Sequence, residues 1–480
     1  MLSTTRLSNS ARAAVRTRRH VGTIAAVNHS RTKAMGDISS VFPSLNGAKA
    51  QPLPPRFAEL KRSLVAGREN AIQDSWRRLL PVLDREIDEI RAKGPSIIPS
   101  IDFSALSSPL PAATLAEIKA RGSVIIRNVL PPSLALFLKS SSQEYIRSNA
   151  SSVRAFPAAS PAVYELYWSP AQVAARSHPN ILRTQSFLQS LWHSSPSTPI
   201  STQHPLTYAD RLRIRLPGDS GFALGPHVDG GSLERWEDPV YRANYSRILS
   251  GQWESHDAYD ATHRVRANMD MYNGAGAASM FRMWQGWLSL SNTAPGEGTL
   301  RLFPALKEAT AYWMLRPFIG EDGRVDPART GFEGAAMGAC QELSSDNHPG
   351  LRLQEGMVSI PEVAPGDFVA WHCDAIHAVD KTHAGRADSS VFYIPATPLT
   401  PGNVEALRRQ KDAALAGEVP PDFPGAGNPA VGEGKFVGKV DWETAGTREM
   451  GMGGEGWEVQ EDMTEGAREA VWRGNEIMGW

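Results

Sequence analysis

The sequence predicts an α+β protein in which a mainly helical region precedes a β-barrel or β-sandwich. Between Arg56 and Lys93 the apolar residues recur at the spacing of one helix face. The segment Arg211–Leu216 alternates polar and apolar side chains, as a strand with one buried face does. After it, several short apolar runs are separated by Gly and Pro turns, which is typical of barrels and sandwiches.

The composition is that of a globular protein, with 41% apolar and 21% charged residues. A length of 480 residues exceeds one ordinary core, so we expect two or three compact units. The net charge of −1 gives no electrostatic reason to expect nucleic acid or a membrane surface as partner. No apolar run approaches the roughly 18 residues that a membrane span needs. Two cysteines exclude a disulfide framework and a four-cysteine zinc site, and they favour an intracellular protein.

Residues 1–50 are predicted to be a disordered tail or a transit peptide outside the fold. The first 36 residues contain six arginines and one lysine, and the first acidic residue is Asp37. An Arg-rich, Ser-containing, acid-free segment is typical of mitochondrial transit peptides, and Met35 is an alternative start that omits it. We therefore expect a cytoplasmic protein, or a mitochondrial one if residues 1–36 act as a targeting peptide.

Residues 51–205 are predicted to form a mainly helical shell. The helical pattern that starts at Arg56 is broken near Pro81, because proline disrupts a helix interior. The apolar run Gly122–Leu130 predicts a buried strand, and another helix is expected from about Ser133.

Residues 206–400 are predicted to form the β-rich core, with a helical insertion near 236–270. Further strands are expected at Phe281–Leu290, Thr299–Phe303, Phe368–Trp371 and Ser390–Ile394. Residues 401–480 are read as a Pro- and Gly-rich extension that ends in a helix over Thr464–Ile477.

Two His-x-Asp triplets are candidate metal ligands, His227-Val-Asp229 and His372-Cys-Asp374. On a strand, residues i and i+2 point to the same side, so either triplet presents two ligands together. An open metal site then needs a third ligand from a distant strand. The first triplet has ample chain downstream to supply one, whereas the second is followed closely only by His377 and His383. We therefore favour His227 and Asp229.

The third ligand is sought among His372, His377 and His383. The turn Pro365–Asp367 and the strand after it lead to His372 at the strand end and to His377 beyond its trailing loop. His372 follows a core-facing tryptophan and is more simply interpreted as a hydrogen-bonded structural histidine. The strand geometry favours His377, with His372 as its main rival.

Around these ligands the chain resembles the iron(II)/2-oxoglutarate-dependent oxygenase superfamily, and more narrowly an uncharacterised branch found in bacteria and fungi. The superfamily pattern is the His-x-Asp triplet, the Gly298–Pro304 segment, the Pro-Gly-Asp-x-Val-x-Trp-His segment and His377. The branch adds four short motifs after the triplet. They are Gly231-Ser232, Arg235-Trp236, Phe281–Trp287 and Tyr393–Ala396. The resemblance spans roughly residues 205–400.

The resemblance implies a double-stranded β-helix (jelly-roll) core, wrapped by N- and C-terminal helices, with iron near one mouth of the barrel. Two imidazoles and one carboxylate leave three coordination positions open. Enzymes of this superfamily use Fe(II), O2 and 2-oxoglutarate, and they release succinate and CO2 while they hydroxylate or desaturate a small organic substrate. Alternatives are a non-catalytic metal-binding or sensor barrel and a cupin-like metal isomerase, which would usually need a further His or Glu.

The distal carboxylate of 2-oxoglutarate requires a basic partner, and Arg386, nine residues after His377, is the first choice. The superfamily's usual arginine lies about two residues later, where this chain has Asp388, so Arg282 and Arg301 remain rivals. Trp287 is a candidate wall of the same site. The expected substrate is a small molecule that is polar or amino-acid derived, and a nucleic-acid substrate is disfavoured because no basic stripe with interleaved aromatics is present. The sequence leaves the oligomeric state open.

Overall fold

The structure is a computed structural model that describes residue 33 and residues 38–47, 52–423 and 440–480. Most of the basic N-terminal segment predicted as a tail or transit peptide lies outside these residues. Sixteen α-helices occur in the described part of the chain. They are α1 (Ile38–Val41), α2 (Pro43–Asn46), α3 (Pro55–Val65), α4 (Glu69–Lys93), α5 (Ala112–Arg121), α6 (Pro132–Ser148), α7 (Pro170–Ser177), α8 (Pro179–Ser190), α9 (Glu234–Glu237), α10 (Pro239–Ala243), α11 (Ser246–Leu249), α12 (Leu306–Leu315), α13 (Leu353–Gly356), α14 (Pro401–Ala416), α15 (Trp442–Ala445) and α16 (Glu465–Met478).

Fifteen strands occur in the described residues, so the predicted α+β class is confirmed. They are β1 (Ser100–Asp102), β2 (Ser123–Arg127), β3 (Ala155–Phe156), β4 (Val163–Tyr164), β5 (Ser201–Leu206), β6 (Leu212–Arg215), β7 (His227–Val228), β8 (Trp284–Ser289), β9 (Leu300–Leu302), β10 (Gln341–Glu342), β11 (Val358–Ser359), β12 (Phe368–His372), β13 (His377–Val379), β14 (Ser389–Tyr393) and β15 (Thr397–Leu399).

The strands form three sheets. The eight-stranded sheet has the order β1-β2-β12-β8-β14-β6-β4-β3, the five-stranded sheet β10-β7-β13-β9-β11, and β15 pairs with β5. All neighbours in the two larger sheets are antiparallel except β1 and β2. The core strands are therefore joined by long-range pairings rather than by simple hairpins.

The predicted break near Pro81 is wrong, because helix α4 runs through it. The helix continues without interruption from Glu69 to Lys93 with Pro81 inside it. Proline removes one backbone hydrogen bond there, but an apolar face on both sides of it is fully buried. That face consists of Ile72, Leu79, Leu83, Ile87 and Ile90. Burial of five such side chains, at about 1.5–3 kcal/mol each, outweighs the roughly 3 kcal/mol that an interior proline costs.

Strand β6 is buried on both faces, and not on one face as its alternation suggested. Leu212 and Ile214 are buried, and so are Arg213 and Arg215, which are 3% and 0% exposed. The strand lies between β14 and β4 inside the large sheet, so the arginine face has no access to bulk water. A buried guanidinium needs acceptors. Arg215 donates through Nε to Asp219 Oδ2 at 2.6 Å and through Nη1 to the Asp380 carbonyl at 2.8 Å, whereas Arg213 Nε and Nη2 have no acceptor among the described residues.

Residues 38–46 form the N-terminal strap, although they were predicted to belong to a disordered tail. The strap comprises α1 and α2 and packs in a small apolar cluster with Val163, Phe222 and Leu224. The backbone N–H of Cys340 donates to the Val41 carbonyl at 2.9 Å, and the Ser44 N–H donates to Glu342 at 3.1 Å. These contacts attach the strap to strand β10 and the residue before it.

The C-terminal extension begins and ends with helices that pack on each other, α14 and α16. Helix α16 begins where the sequence predicts, because the Thr464 hydroxyl accepts from the Ala467 N–H as a cap. No helix in the described part of the chain combines the length and the apolar character that crossing a bilayer would require.

Candidate metal centre

Strands β7 and β13 bring the three predicted ligands together. His227 and His377 are direct partners in the antiparallel register of these neighbouring strands. Asp229 follows β7 directly, and its carboxylate oxygens lie 3.7 Å from His227 Nε2 and 3.6 Å from His377 Nε2. One ligand atom of each residue lies within 4.8 Å of the others, a spacing that one metal ion can bridge.

The backbone fixes which nitrogen of each imidazole is available. His227 Nδ1 lies 2.7 Å from the carbonyl oxygen of Gly225, and His377 Nδ1 lies 3.1 Å from that of Ala375. A carbonyl only accepts, so both Nδ1 atoms carry the proton and donate it. The two Nε2 atoms are then unprotonated and face the Asp229 carboxylate, as metal-binding histidines require.

The electrostatics keep His227 and Asp229 in the protonation states of ligands. Burial, with a smaller contribution from His377, lowers the pKa of His227 to about 4, so the imidazole is neutral. Burial alone would raise the pKa of Asp229, but the neighbouring His377, His227 and Arg282 hold it well below the usual range. The Asp229 side chain keeps 22% of its surface exposed to the cavity.

The loop after Asp229 contains two of the family motifs, Gly231-Ser232 and Arg235-Trp236. Gly231 has φ of +89°, and a Cβ there would lie 2.7 Å from the Met269 carbonyl oxygen, so only glycine fits. The buried guanidinium of Arg235 donates to the backbone carbonyls of Asp229 and Gly231. The Ser232 hydroxyl accepts from the Ala336 N–H at 3.0 Å. This loop therefore holds the aspartate ligand in place.

The second His-x-Asp triplet is fully engaged in structural contacts. The Asp374 N–H donates to His372 Nδ1 at 3.0 Å, so His372 Nε2 carries the proton and donates to the Ala258 carbonyl at 3.0 Å. The Asp374 carboxylate forms a buried ion pair with Arg264 and accepts from the Tyr245 hydroxyl at 2.9 Å. Neither side chain has a free ligand atom, and His383 does not line the cavity.

A single cavity contains His227, Asp229 and His377. Its walls come from β6, β8, β12 and β14 on one side and from the strap on another. The polar and aromatic wall residues nearest these strands are Arg211, Arg213, Arg282, Gln285, Trp287, Trp371 and Tyr393. From the strap, Phe42 packs edge-on against the His227 ring, with centroids 4.8 Å apart. The Cys340 thiol is 3.6 Å from Asp229 Oδ1.

The arginines predicted as partners of the distal carboxylate of 2-oxoglutarate lie at different places relative to the cavity. Arg386, the first choice from the sequence, is exposed in the loop before β14 and is not in the cavity wall. Arg301 faces the other side of β9 and donates to the Met357 carbonyl at 2.9 Å. Arg282 lines the cavity. Arg213, which the sequence analysis did not single out, also lines it, and its Nε and Nη2 atoms have no acceptor among the described residues.

Comparison with known proteins gives one consistent result. A model of the Gig2-like family matches residues 51–452. The chain is 32% identical over 380 residues to the uncharacterized protein YbiU of Escherichia coli K12, covering 76% of this chain and 88% of YbiU. Among solved structures, GlcNAc Inducible Gene 2 (GIG2) of Candida albicans superposes with a TM-score of 0.82 at 33% identity, covering 90% of this chain and 96% of GIG2. A Salmonella typhimurium LT2 protein, named provisionally as an oxidoreductase, gives 0.72 at 30% identity, covering 84% and 99%.

Proposed function

The chain belongs to the Gig2-like family, and on its open two-histidine, one-carboxylate site we propose that it is an iron(II)- and 2-oxoglutarate-dependent oxygenase of a small organic substrate. The observation that carries this proposal is the convergence of His227, Asp229 and His377 beside buried hydrogen-bond donors that lack acceptors.

The order of the core strands supports a double-stranded β-helix. Four strands of the large sheet, β6-β14-β8-β12, and four of the small sheet, β7-β13-β9-β11, form two antiparallel ladders. Along the chain these eight strands alternate between the ladders, except where β9 is followed by β11 in the same one. This alternation is the connectivity of two interlocked Greek keys, which is the jelly-roll pattern. The proposed metal would be held by His227 and His377 of β7 and β13, together with Asp229.

The residues fit iron(II) by their number and type. Two neutral imidazoles and one carboxylate on one side of the ion form the facial triad of mononuclear iron oxygenases. When bound there, iron(II) with 2-oxoglutarate supplies the activation of O2, which converts 2-oxoglutarate to succinate and CO2 as the substrate is hydroxylated or desaturated. The protein's part is to hold the ligands, to position both organic molecules and to exclude water.

The cavity offers donors that suit the co-substrate. Arg213 Nε and Nη2, Gln285 Nε2 and Trp371 Nε1 are buried and have no acceptor among the described residues. A buried donor that stays unpaired costs about 1–3 kcal/mol, so such a group indicates that a ligand completes its hydrogen bonding. A dicarboxylate with several acceptor oxygens would satisfy this set.

Arg213 is the residue that we assign to the distal carboxylate of 2-oxoglutarate, in place of Arg386. It lies on β6, in the ladder opposite the two histidines, and its side chain is 3% exposed. A molecule that chelates the metal and extends across the barrel would reach it. Two parallel hydrogen bonds from a guanidinium match a carboxylate in geometry and charge. Trp287 and Tyr393, paired on β8 and β14, line the same cavity.

Turnover of 2-oxoglutarate without added substrate tests the proposal. The full chain with iron(II), ascorbate and O2 should convert 2-oxoglutarate to succinate slowly, and Asp229→Ala should reduce that rate to background. The exposed carboxylate variant Asp322→Ala is the matched control. Equal succinate release from Asp229→Ala and the parent chain would refute an iron-dependent reaction at this site.

A further inference from the structure

Arg282 is a cavity residue that the proposed co-substrate site does not use. It lies just before β8, and its guanidinium lines the cavity beside Gln285 and Trp287 of that strand. Among the described residues it makes no hydrogen bond and no ion pair. Its guanidinium carbon lies 5.6 Å from the centroid of the Tyr208 ring. An arginine has five N–H donors in a fixed fork, so a ligand can occupy this group.

The other arginines of the cavity wall already have partners or a role. Arg211 Nε donates to Asp210 Oδ1 at 3.0 Å, and this ion pair occupies both groups. Arg213 is assigned above to 2-oxoglutarate. Arg282 is therefore the cation of the cavity wall that remains for a second organic molecule.

Arg282 also has the charge and position that this role needs. Burial alone would lower the pKa of Arg282, but Tyr208, Asp229 and Asp210 raise it, so the side chain stays cationic. Its charge in turn contributes to the low pKa of the Asp229 carboxyl. Arg282 and Asp229 line the same cavity, where a substrate would be oxidised.

We propose that Arg282 binds the carboxylate of the substrate, so that the oxidised molecule is a monoanionic carboxylic acid. The inference rests on the proposed function, since it assigns the substrate class of the same site. A single negative charge is favoured over a phosphate dianion because the carboxyls of Asp229 and Glu234 line the same cavity. Burial raises the pKa of Glu234 to about 7, so this carboxyl is partly ionised at neutral pH, and its Oε2 accepts from the Ser232 N–H at 2.7 Å. A second negative charge would be repelled there.

Matched acids and amides test this assignment. The probes are butyrate, 3-phenylpropionate and N-acetylglycine, each paired with its primary amide, which removes the charge and keeps the shape. Binding is measured anaerobically on protein loaded with iron(II) and 2-oxoglutarate, from changes in its visible band. Quenching of tryptophan fluorescence is a second readout, since Trp287 and Trp371 line the cavity.

We expect at least one acid to bind about tenfold or more tightly than its amide, because a charge-assisted pair is lost with the amide. Arg282→Met should remove the preference for the acid over its amide, and Arg282→Lys should retain part of this preference. Arg301 lies outside the cavity, so Arg301→Met should leave the preference unchanged. The proposal is overturned if no acid binds at millimolar concentration, if the amides bind equally, or if Arg282→Met keeps the preference. It is also overturned if Arg282→Met, and not Arg213→Met, raises the 2-oxoglutarate concentration that gives half-maximal turnover.

The two proposals fail in different ways. If no visible band forms with iron(II) and 2-oxoglutarate, the proposed function fails, and the fluorescence titrations of acids and amides still decide the role of Arg282. If the band forms and the acids show no advantage, the oxygenase assignment stands and the carboxylate assignment is wrong.

Discussion

His227 and His377 face each other as register partners on adjacent antiparallel strands, with ring centroids 4.1 Å apart. Because each imidazole also donates through Nδ1 to a carbonyl two residues earlier, both rings are fixed by backbone geometry. Two unprotonated nitrogens held this closely beside a carboxylate can ligate a metal cation. The following expectations depend on that relationship and on the cavity around it.

Arg213 and Arg386 give a direct comparison between a buried and an exposed arginine. Arg213→Met should raise the 2-oxoglutarate concentration for half-maximal turnover about tenfold or more, because a charge-assisted hydrogen bond contributes about 1.5–3 kcal/mol. Arg386→Met should leave it unchanged, since this side chain lies outside the cavity. The measurement is succinate formation over a range of 2-oxoglutarate concentrations. A shift with Arg386→Met alone would restore the assignment made from the sequence.

The N-terminal strap should matter for metal retention. Phe42 is 4% exposed and covers one edge of the His227 ring. Phe42→Ala would admit water to the ligand, so we expect iron(II) affinity to fall about tenfold, as for other changes around a metal site. Competition with a chelator measures it. A chain that starts at Met35 keeps the strap but lacks the Lys33 ion pair with Asp270. It should hold iron(II) more tightly than one that starts at Gly47, which also lacks Phe42.

Asp374 should support stability and leave metal binding intact. Its carboxylate and its partner Arg264 are 0% and 2% exposed. Asp374→Ala would leave the guanidinium buried without its counter-ion, which typically costs about 3–5 kcal/mol of unfolding free energy. Urea denaturation measures that loss, and metal analysis of the folded fraction should be unchanged. Loss of the metal with unchanged stability would mean that His372-Cys-Asp374 is the metal site after all.

His348 should make the fold sensitive to acid. Burial lowers the pKa of His348 from its ordinary 6.5 to about 3, so the unfolded chain takes up a proton at a higher pH than the folded chain does. Stability is therefore fully present above the unfolded pKa and falls as the pH drops from 6.5 toward 3. Between about pH 7 and pH 5, His348 should account for about 2 kcal/mol of lost stability. Urea unfolding at the two pH values measures this loss. From pH 7 to pH 5 the free energy of unfolding of His348→Gln should fall by about 2 kcal/mol less than that of the parent chain. An equal loss in both would contradict the prediction.

Much of the core could be predicted because its signals are local. The alternation and turn residues of β6, β8, β9, β12 and β14 indicate strands within one to three residues of their observed ends. The spacing of His227 and Asp229 needs only strand geometry. The preference for His227 and Asp229 over His372 and Asp374 used only the order of the chain, because the second triplet is followed closely only by His377 and His383. It stays a prediction.

The remaining features depend on contacts between distant segments. Nothing in the alternation of Arg211–Leu216 distinguishes a solvated arginine face from a buried one that lines a cavity, so the sequence did not single out Arg213. The strap was missed because a basic, acid-poor N-terminus reads as a tail, whereas its docking depends on Cys340 and Glu342, about 300 residues away. Arg386 was selected by distance along the chain from His377, and the loop before β14 holds it outside the cavity.

We propose that His227, Asp229 and His377 hold iron(II) together with 2-oxoglutarate. Anaerobic addition of iron(II) and then 2-oxoglutarate to the full chain tests it most directly, by the visible charge-transfer band of a bidentate 2-oxo acid complex. We predict that the band appears, that His227→Ala abolishes it with the fold intact by circular dichroism, and that the exposed control His193→Ala retains it. Absence of the band in the parent chain, or its persistence in His227→Ala, would contradict the account.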